Sequence, residues 1–169
     1  MIVVDVGSAE HGREESVHRL VSQYGPSMLF GFDPLNDWAG VVNWMGTPVV
    51  LSKMAAWLFD GVVGFQMSGI TSGIPGDGPR FPEPLPAVPC FDLANFLAVL
   101  ISAGPVILKL DCEGAEYPLL RHLRAQDIDT RLNRVLVEWH DGSDVNGDFY
   151  AHGWDVDGRI RLRCPVEEW

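Results

Sequence analysis

Four carboxylates follow apolar runs whose composition is typical of buried β-strands. Asp5, Asp33, Asp111 and Glu138 lie at or near the ends of these runs, and Gly7 follows the first of them. In open parallel sheets, ligands bind outside the carboxyl ends of the strands. The sequence therefore predicts an acidic ligand site at one edge of a sheet.

One of these runs continues into a helix and carries further ionisable side chains. The stretch KLDCEGAEYPLL, residues 109–120, contains Lys109, Asp111, Glu113 and Glu116. We assign Asp111 and Glu113 to the site, and Glu116 to the first turn of the helix, where the helix dipole favours a negative side chain. Lys109, which lies between two leucines, is predicted to pair with one of the acids.

The elements that must position these residues alternate between strand and helix. Apolar β-branched runs predict five strands, at 2–7, 28–33, 48–52, 106–111 and 134–140. Helical spacing of apolar residues predicts helices at 13–24, 35–44, 90–102 and 114–125. Asp157-Gly158 predicts the turn of a hairpin at 153–164. This order predicts one domain, residues 1–169, with a mainly parallel, three-layer Rossmann-like α/β sheet and a C-terminal antiparallel hairpin.

Two segments interrupt the alternation. Residues 53–68 contain Asp60-Gly61 between apolar runs, a pattern that predicts a tight turn. Residues 69–89 hold four glycines and six prolines, a composition that opposes helix formation and most strand pairing. A connection of this length indicates either a functional loop or a mobile one, and we expect it to cover the substrate.

Composition excludes several classes of protein. With 47% hydrophobic and 21% charged residues, the 169-residue chain is expected to fold around a core. Its net charge of −11 disfavours a nucleic-acid partner, which calls for a basic surface. Three cysteines without a C-x-x-C pair indicate neither a disulfide framework nor a zinc site. The sequence begins with a predicted strand rather than a signal peptide, and it contains no apolar run of about 18 residues. Both features favour a cytoplasmic protein without a membrane partner. No sequence feature specifies an oligomeric state.

The first loop, DVGSAEHG, fits two kinds of cofactor. Gly7-x-Ala9-x-x-Gly12 is a degenerate dinucleotide fingerprint, whereas Asp5-x-Gly7 is typical of a turn that binds S-adenosylmethionine. A dinucleotide would bring an anionic pyrophosphate to an edge that already carries several carboxylates. S-adenosylmethionine brings a sulfonium and an ammonium without a phosphate, so the acidic edge favours it. Asp33 suits the ribose hydroxyls of either cofactor.

The sequence also resembles a known family. The segments VDVGS, GFDP, KMAAWLFDG, FDLANFL, ILKLDCEGAEYPLL and VLVEWH, in this order, are similar to motifs of the FkbM family of S-adenosylmethionine-dependent methyltransferases. The resemblance covers residues 3–140. It implies a class I methyltransferase fold and S-adenosylmethionine as the cofactor.

The resemblance assigns site residues position by position. Asp5 and Gly7 match the cofactor turn, which here also contains Ser8 and Gly12. The loop SAEHG carries an apparent insertion, because family members usually place the second glycine one residue nearer. Asp33 matches the acid that binds the ribose, and the segment beside the adenine is matched by Ala55, Ala56 and Trp57.

Methylation of a hydroxyl calls for near-attack geometry and a positioned base. We predict His140 as the base, because imidazole titrates near neutral pH, and Glu138 on the same strand face as its orienting partner. Asp111 and Glu113 are expected to accept the proton or to bind substrate hydroxyls. A divalent metal ion is compatible with these side chains, but their spacing does not require one. The expected acceptor is a hydroxylated small molecule, sugar or glycan.

Other reactive side chains are assigned to structural places. Cys112 is predicted to be a small buried filler, and His122 is expected on the surface of its helix. Three alternating cations in the last predicted strand indicate a solvated face or a protected sheet edge: Arg159, Arg161 and Arg163.

Two other functions fit parts of the sequence. A small NAD(P)-binding oxidoreductase is compatible with the glycine pattern of the first loop, although the chain leaves no room for a separate substrate domain. A Rossmann-like module that binds a ligand without turnover is compatible with the altered first loop.

Overall fold

The computed structural model describes residues 1–8, 13–36, 39–65, 86–139 and 162–169, with the backbone alone for 13–15. The helices are α1 (Arg13–Tyr24), α2 (Leu93–Ala103) and α3 (Glu116–Ala125). The first strands are β1 (Ile2–Val6), β2 (Met28–Phe32), β3 (Gly40–Trp44), β4 (Thr47–Ser52), β5 (Ala55–Trp57) and β6 (Gly61–Gly64). The later strands are β7 (Ala87–Asp92), β8 (Val106–Leu110), β9 (Arg134–Val137) and β10 (Val166–Glu168).

Seven strands form the main sheet, in the order β10-β9-β8-β1-β2-β4-β3. Neighbouring strands are parallel except β3, which pairs antiparallel with β4. From β1 the chain adds β2 and β4 on one side, then returns to place β8, β9 and β10 on the other. The strand order therefore reverses between β1 and β8, where parallel sheets have their ligand crevice. The predicted α/β class with a mainly parallel sheet is confirmed.

Helices cover both faces of the main sheet. α1 packs on one face through Val17, Leu20 and Val21, which contact Val3 of β1. On the opposite face, α2 and α3 pack against a cluster that includes Val4, the next residue of β1. This alternation within one strand is why β1 is apolar apart from Asp5. Among the described residues, no helix combines the length and hydropathy that a membrane span requires.

The helix predicted at 35–44 is wrong. Residues 40–44 form β3, which joins β4 through the two-residue loop Met45-Gly46. Both loop residues have positive φ angles, 52° and 88°, as a type I′ hairpin turn requires. Val41 and Val42 are β-branched and gain a pairing partner in β4, which outweighs the helix-start signal of Pro34.

A second, three-stranded sheet has the order β5-β7-β6. The turn predicted at Asp60-Gly61 does connect β5 to β6, but β7 lies between these strands and pairs with both. Pro89 of β7 lies opposite Val62, so the expected lack of strand pairing does not hold at the end of the segment 69–89. Residues 66–85 lie outside the described residues.

α2 begins later than the predicted residue 90, because Asp92 caps it. The Asp92 side chain accepts a hydrogen bond from the N–H of Asn95 at 3.1 Å. A side-chain acceptor at this position satisfies one of the amide groups that a helix start leaves without a partner. Residues 90–92 therefore complete β7 before the helix begins.

The last strand, β10, lies beyond the C-terminal antiparallel hairpin predicted at 153–164, which stays a prediction. β10 pairs parallel with β9, and Arg134 of β9 binds Glu167 of β10 at 2.8 Å. Of the predicted hairpin 153–164, only residues 162–164 are described, and they form no strand. The antiparallel strand of the main sheet is β3, at the opposite edge.

Candidate functional site

The carboxyl ends of β1 and β8 meet at Gly7. The φ angle of Gly7 is +84°, and its N–H donates to the carbonyl of Phe32 at 2.9 Å. A Cβ atom at this position would lie 1.5 Å from the carbonyl oxygen of Asp111. The two strand ends can approach this closely only because residue 7 has no side chain.

Lys109 of β8 is fully buried between two acids, Asp5 and Asp111. It is the register partner of Asp5 on β1, and it precedes Asp111 by two residues, so all three side chains share one sheet face. The Nζ atom lies 3.1 Å from Asp5 Oδ1 and 2.9 Å from Asp111 Oδ2. It also donates to the Gly7 carbonyl at 3.3 Å. The prediction that Lys109 pairs with one acid is therefore corrected, since it pairs with both.

The two acids keep the buried Lys109 charged. Burial is the largest influence and lowers its pKa, because an ammonium loses its hydration in the interior. The charges of Asp5 and Asp111, with their hydrogen bonds, outweigh burial, so the pKa of Lys109 is raised above its usual range. The edge of the sheet thus holds one fixed cation between two carboxylates.

Asp5, a predicted cofactor residue, does not reach the surface of this edge. Its side chain is fully buried, and Oδ2 accepts a hydrogen bond from Ser16 of α1 at 2.9 Å. Its other oxygen pairs with Lys109. Asp5 therefore joins α1, β1 and β8, and its influence on a ligand passes through Lys109.

Asp33, the predicted ribose-binding acid, follows β2 and is 8% exposed. Burial raises the pKa of Asp33 from 3.8 to about 6. The N–H of Leu35, which donates to Asp33 Oδ1 at 2.7 Å, and the charge of Lys109 lower this pKa. The charges of Asp5 and Asp111 raise it further. The carboxyl of Asp33 therefore changes its charge near neutral pH.

A buried polar pair, Ser8 and Asn36, lies beside Asp33. Asn36 Nδ2 donates to the carbonyl of Ser52 at 3.0 Å and to Ser8 Oγ at 3.4 Å. The N–H of Asn36 donates to the carbonyl of Asp33 at 3.2 Å. Sequence analysis predicted Ser8 but missed Asn36, although a polar residue three positions after a predicted site acid was a usable signal.

Glu116 closes the loop between β8 and α3. It is fully buried, and its two oxygens accept the N–H of Cys112 at 2.6 Å and that of Gly114 at 2.7 Å. The structural role predicted for Glu116 at the helix start is confirmed, although the bonded amides precede the helix. An internal carboxylate thus occupies N–H groups of the kind that bind anions at other helix starts.

Asp111 and Glu113, the predicted site acids of this loop, lie beyond the end of β8. The Asp111 side chain is 26% exposed, in contrast to the buried Lys109 and Asp5. Glu113 has a φ angle of +53°, a left-handed conformation that is uncommon for a residue with a side chain. Such strain costs about 1 kcal/mol or more and is found preferentially at functional sites.

Cys112 has the filler role that its sequence context predicts. It packs against the apolar cluster below α2 and α3. Burial, followed by the charges of Glu116 and Asp111, raises the pKa of the Cys112 thiol well above its usual range. The thiol is therefore a poor nucleophile.

The predicted adenine segment, residues 55–57, forms β5 of the second sheet. Ala56 and Trp57 pack in the same apolar cluster as Phe32, the residue before Asp33. The ring centroid of Phe32 lies 4.4 Å from that of Phe91. Ala55 packs with Val63 and Cys90. The structure thus brings part of the segment close to the chain that carries Asp33.

The end of β9 contributes Glu138 to the same edge as Asp111. The N–H of Glu138 donates to the carbonyl of Leu110 at 2.9 Å, and its side chain is exposed. The next residue, Trp139, is half-buried and has its ring centroid 5.9 Å from that of Tyr117. The predicted base His140 and the predicted turn residue Gly12 lie outside the described residues. Their roles stay predictions.

One other expectation is wrong. His122 is not an exposed helix residue, because Nε2 lies 3.1 Å from Oδ1 of Asp92 and its side chain is 16% exposed. Arg163 is exposed, in agreement with the predicted solvated face, although its Nε donates to the buried carboxylate of Asp129 at 3.2 Å. Arg159 and Arg161 lie outside the described residues.

The residues that the structure describes contain no group of three or more His, Cys, Asp or Glu side chains that could hold a metal ion. Comparisons of this chain with protein-family models, with curated proteins and with solved structures found no match. The candidate site therefore has to be interpreted from its own geometry and charge.

Replacing Gly7 with alanine is expected to destabilise the protein by more than 3 kcal/mol or to prevent folding, because the new methyl group would overlap with the Asp111 backbone. Gly25→Ala is the matched control. Gly25 also has a positive φ, +52°, but a Cβ atom there would meet nothing within 4 Å. That variant should lose only about 1 kcal/mol, for backbone strain. Equal losses in urea denaturation would contradict the close approach at Gly7.

Asp33→Asn is expected to stabilise the protein at pH 7.5. Because the folded-state pKa of Asp33 is raised from 3.8 to about 6, the folded protein holds this proton more tightly, and stability falls as pH rises through that interval. The ionised carboxyl costs up to about 3 kcal/mol above pH 6. The amide removes this cost and retains an oxygen for the Leu35 N–H.

The measurement for Asp33→Asn is urea denaturation at pH 4 and pH 7.5. The gain should appear at pH 7.5 and be absent at pH 4. Asp60→Asn is the control, because Asp60 also accepts a backbone N–H, that of Asp92 at 2.9 Å, but is exposed. A gain of the same size at both pH values would contradict the account of Asp33.

Proposed function

We propose that this chain is an S-adenosylmethionine-dependent methyltransferase with a Rossmann-like class I fold. Its expected acceptor is a hydroxyl group of a small molecule, sugar or glycan. The observation that carries the proposal is the charge of the sheet edge where the strand order reverses. Asp5, Asp33 and Asp111 influence one another there around the single ammonium of Lys109.

This edge suits a cationic cofactor better than an anionic one. The ammonium of Lys109 lies among two carboxylates and a carbonyl and is almost fully buried, so it is not available to a phosphate. The amides of Cys112 and Gly114 at the neighbouring helix start donate to Glu116. A pyrophosphate would therefore meet negative charge, with few donors among the described residues to compensate it. A sulfonium and an ammonium meet charge of the favourable sign.

The residues present fit the parts of S-adenosylmethionine. We assign the ribose hydroxyls to Asp33, whose ionised carboxyl accepts hydrogen bonds. Asp111, the exposed acid of the Lys109 cluster, is assigned to the cationic part of the cofactor. The apolar cluster with Ala56 and Phe32 is assigned to the adenine side. When bound, the cofactor supplies a methyl group on a sulfonium as the electrophile.

The acceptor hydroxyl is assigned to the side of Glu113 and Glu138. Both acids follow strands on the same side of β1, beyond β8 and β9. Their carboxylates offer acceptors that orient a hydroxyl. His140 remains the proposed base, two residues after Glu138 on the same chain segment. The reaction is an in-line displacement, so precise positioning of the acceptor hydroxyl relative to the methyl group supplies much of the rate acceleration.

The dinucleotide alternative is less well supported. The glycine pattern of the first loop favours it, but the occupied amides at the start of α3 and the acids of the edge oppose a pyrophosphate. A module that binds S-adenosylmethionine without turnover shares the same edge. A methylation assay of the wild-type chain distinguishes it from an enzyme, and the same assay with His140→Ala and Asp111→Asn tests the residues assigned to catalysis.

Calorimetric titration with S-adenosylmethionine tests the proposal. We expect binding that strengthens as pH rises, because Asp33, with a pKa of about 6, is a better acceptor when ionised. At pH 5 only about a tenth of this carboxyl is ionised, so affinity should rise about tenfold by pH 7.5. Asp33→Asn should bind more weakly at pH 7.5 and lose this dependence, whereas Asp60→Asn should retain it. Absence of binding at millimolar cofactor would contradict the proposed function.

A further inference from the structure

Lys109 is too deeply buried to contact a ligand. Its Nζ atom donates to Asp111 Oδ2 at 2.9 Å and to the Gly7 carbonyl at 3.3 Å, and it lies 3.1 Å from Asp5 Oδ1. Its side chain is 1% exposed. An effect of Lys109 on chemistry at the sheet edge must therefore pass through one of its partners.

Exposure identifies which partner transmits the effect. Asp5 is 0% exposed and is bonded to Ser16 of α1, so it faces the interior. The Asp111 side chain is 26% exposed at the end of β8. Asp111 is thus the member of the cluster through which Lys109 can act on a bound molecule.

The charges of the cluster explain why a cation is needed at this place. Asp5 and Asp111 both lie within hydrogen-bonding distance of one nitrogen, so without Lys109 two carboxylates would face each other beside the buried end of β1. Asp5 is held by Ser16 and by its strand, whereas Asp111 follows the last residue of β8 and would be driven away from Asp5 by that repulsion. Lys109 removes that repulsion and leaves one net negative charge, which Asp111 presents.

We propose that Lys109 is a positioning residue, which neutralises Asp5 and fixes the carboxylate of Asp111 where it meets the cationic part of the cofactor. The proposal rests on the proposed function, because it concerns the same cofactor site. It differs from a purely structural role in one respect. A structural ion pair can be replaced by neutral side chains without loss of ligand affinity, whereas a positioning residue cannot.

The pair Asp5→Asn/Lys109→Met separates these roles. Lys109→Met alone leaves two uncompensated acids and is expected to fold poorly. The double variant removes one charge of each sign from the interior, so it should regain stability over Lys109→Met in urea denaturation. Its affinity for S-adenosylmethionine should nevertheless stay about tenfold to 100-fold below that of the wild-type chain, whose cluster has the same net charge, because Asp111 has lost the cation that fixes it.

A double-mutant comparison tests whether the effect passes through Asp111. Adding Asp111→Asn to the wild-type chain should weaken binding of S-adenosylmethionine, whereas adding it to Asp5→Asn/Lys109→Met should cause little further loss. Affinity equal to that of the wild-type chain in the double variant, or equal losses from Asp111→Asn in both backgrounds, would overturn the positioning role.

The outcomes separate this inference from the proposed function. Binding by the wild-type chain together with unchanged binding by Asp5→Asn/Lys109→Met would overturn the role of Lys109 alone. Absence of binding by the wild-type chain, measured in the same titrations, would overturn both.

Discussion

The ion cluster of Lys109 with Asp5 and Asp111 is the constraint on which the rest of the site depends. A buried ammonium is tolerated only when acids and hydrogen-bond acceptors surround it, because its lost hydration has to be compensated. Here the compensation comes from two strands that are neighbours in space and distant in sequence. It therefore fixes the ends of β1 and β8 relative to each other. It also reaches α1, through Ser16 and Asp5.

Several features of the edge follow from this cluster. Its carbonyl contact and the close approach of Asp111 require a residue without a side chain at position 7. The loop that continues from Asp111 is held by Glu116, and it contains the left-handed Glu113. Strain at Glu113 and the cost of ionising Asp33 concentrate unfavourable free energy at the edge. This is the distribution expected where a protein trades stability for a ligand site.

Much of the fold could be predicted from local patterns. The bounds of α1, 13–24, agree with the prediction, and its apolar spacing and the Gly25 stop explain why. Strands β1, β2 and β8 each lie within one residue of the predicted ranges. The strand β3 was missed because Pro34 signals a helix start, while the pairing with β4 that decides the matter is not visible in the local sequence. β7 was missed because Pro89 within it, and the five prolines that precede it in the segment 69–89, oppose strand formation.

The candidate site, like the fold, could be predicted from the sequence only in part. Acids at strand ends could be located because the carboxyl ends of parallel strands share an edge. That Lys109 pairs with two acids depends on the register of β1 against β8, which no local pattern specifies. The burial of Asp5, and hence its indirect action, depends on the same register and on the position of α1. Asn36 was missed because its neighbours, Ser8 and Ser52, are distant in sequence.

The central claim is that this sheet edge accepts a cationic cofactor without a phosphate and rejects a dinucleotide. Competition between S-adenosylmethionine and NAD⁺ for the wild-type chain, followed by calorimetry at pH 7.5, tests it most directly. The account predicts that S-adenosylmethionine binds and that millimolar NAD⁺ leaves its affinity unchanged. Binding of NAD⁺ that displaces S-adenosylmethionine would contradict it.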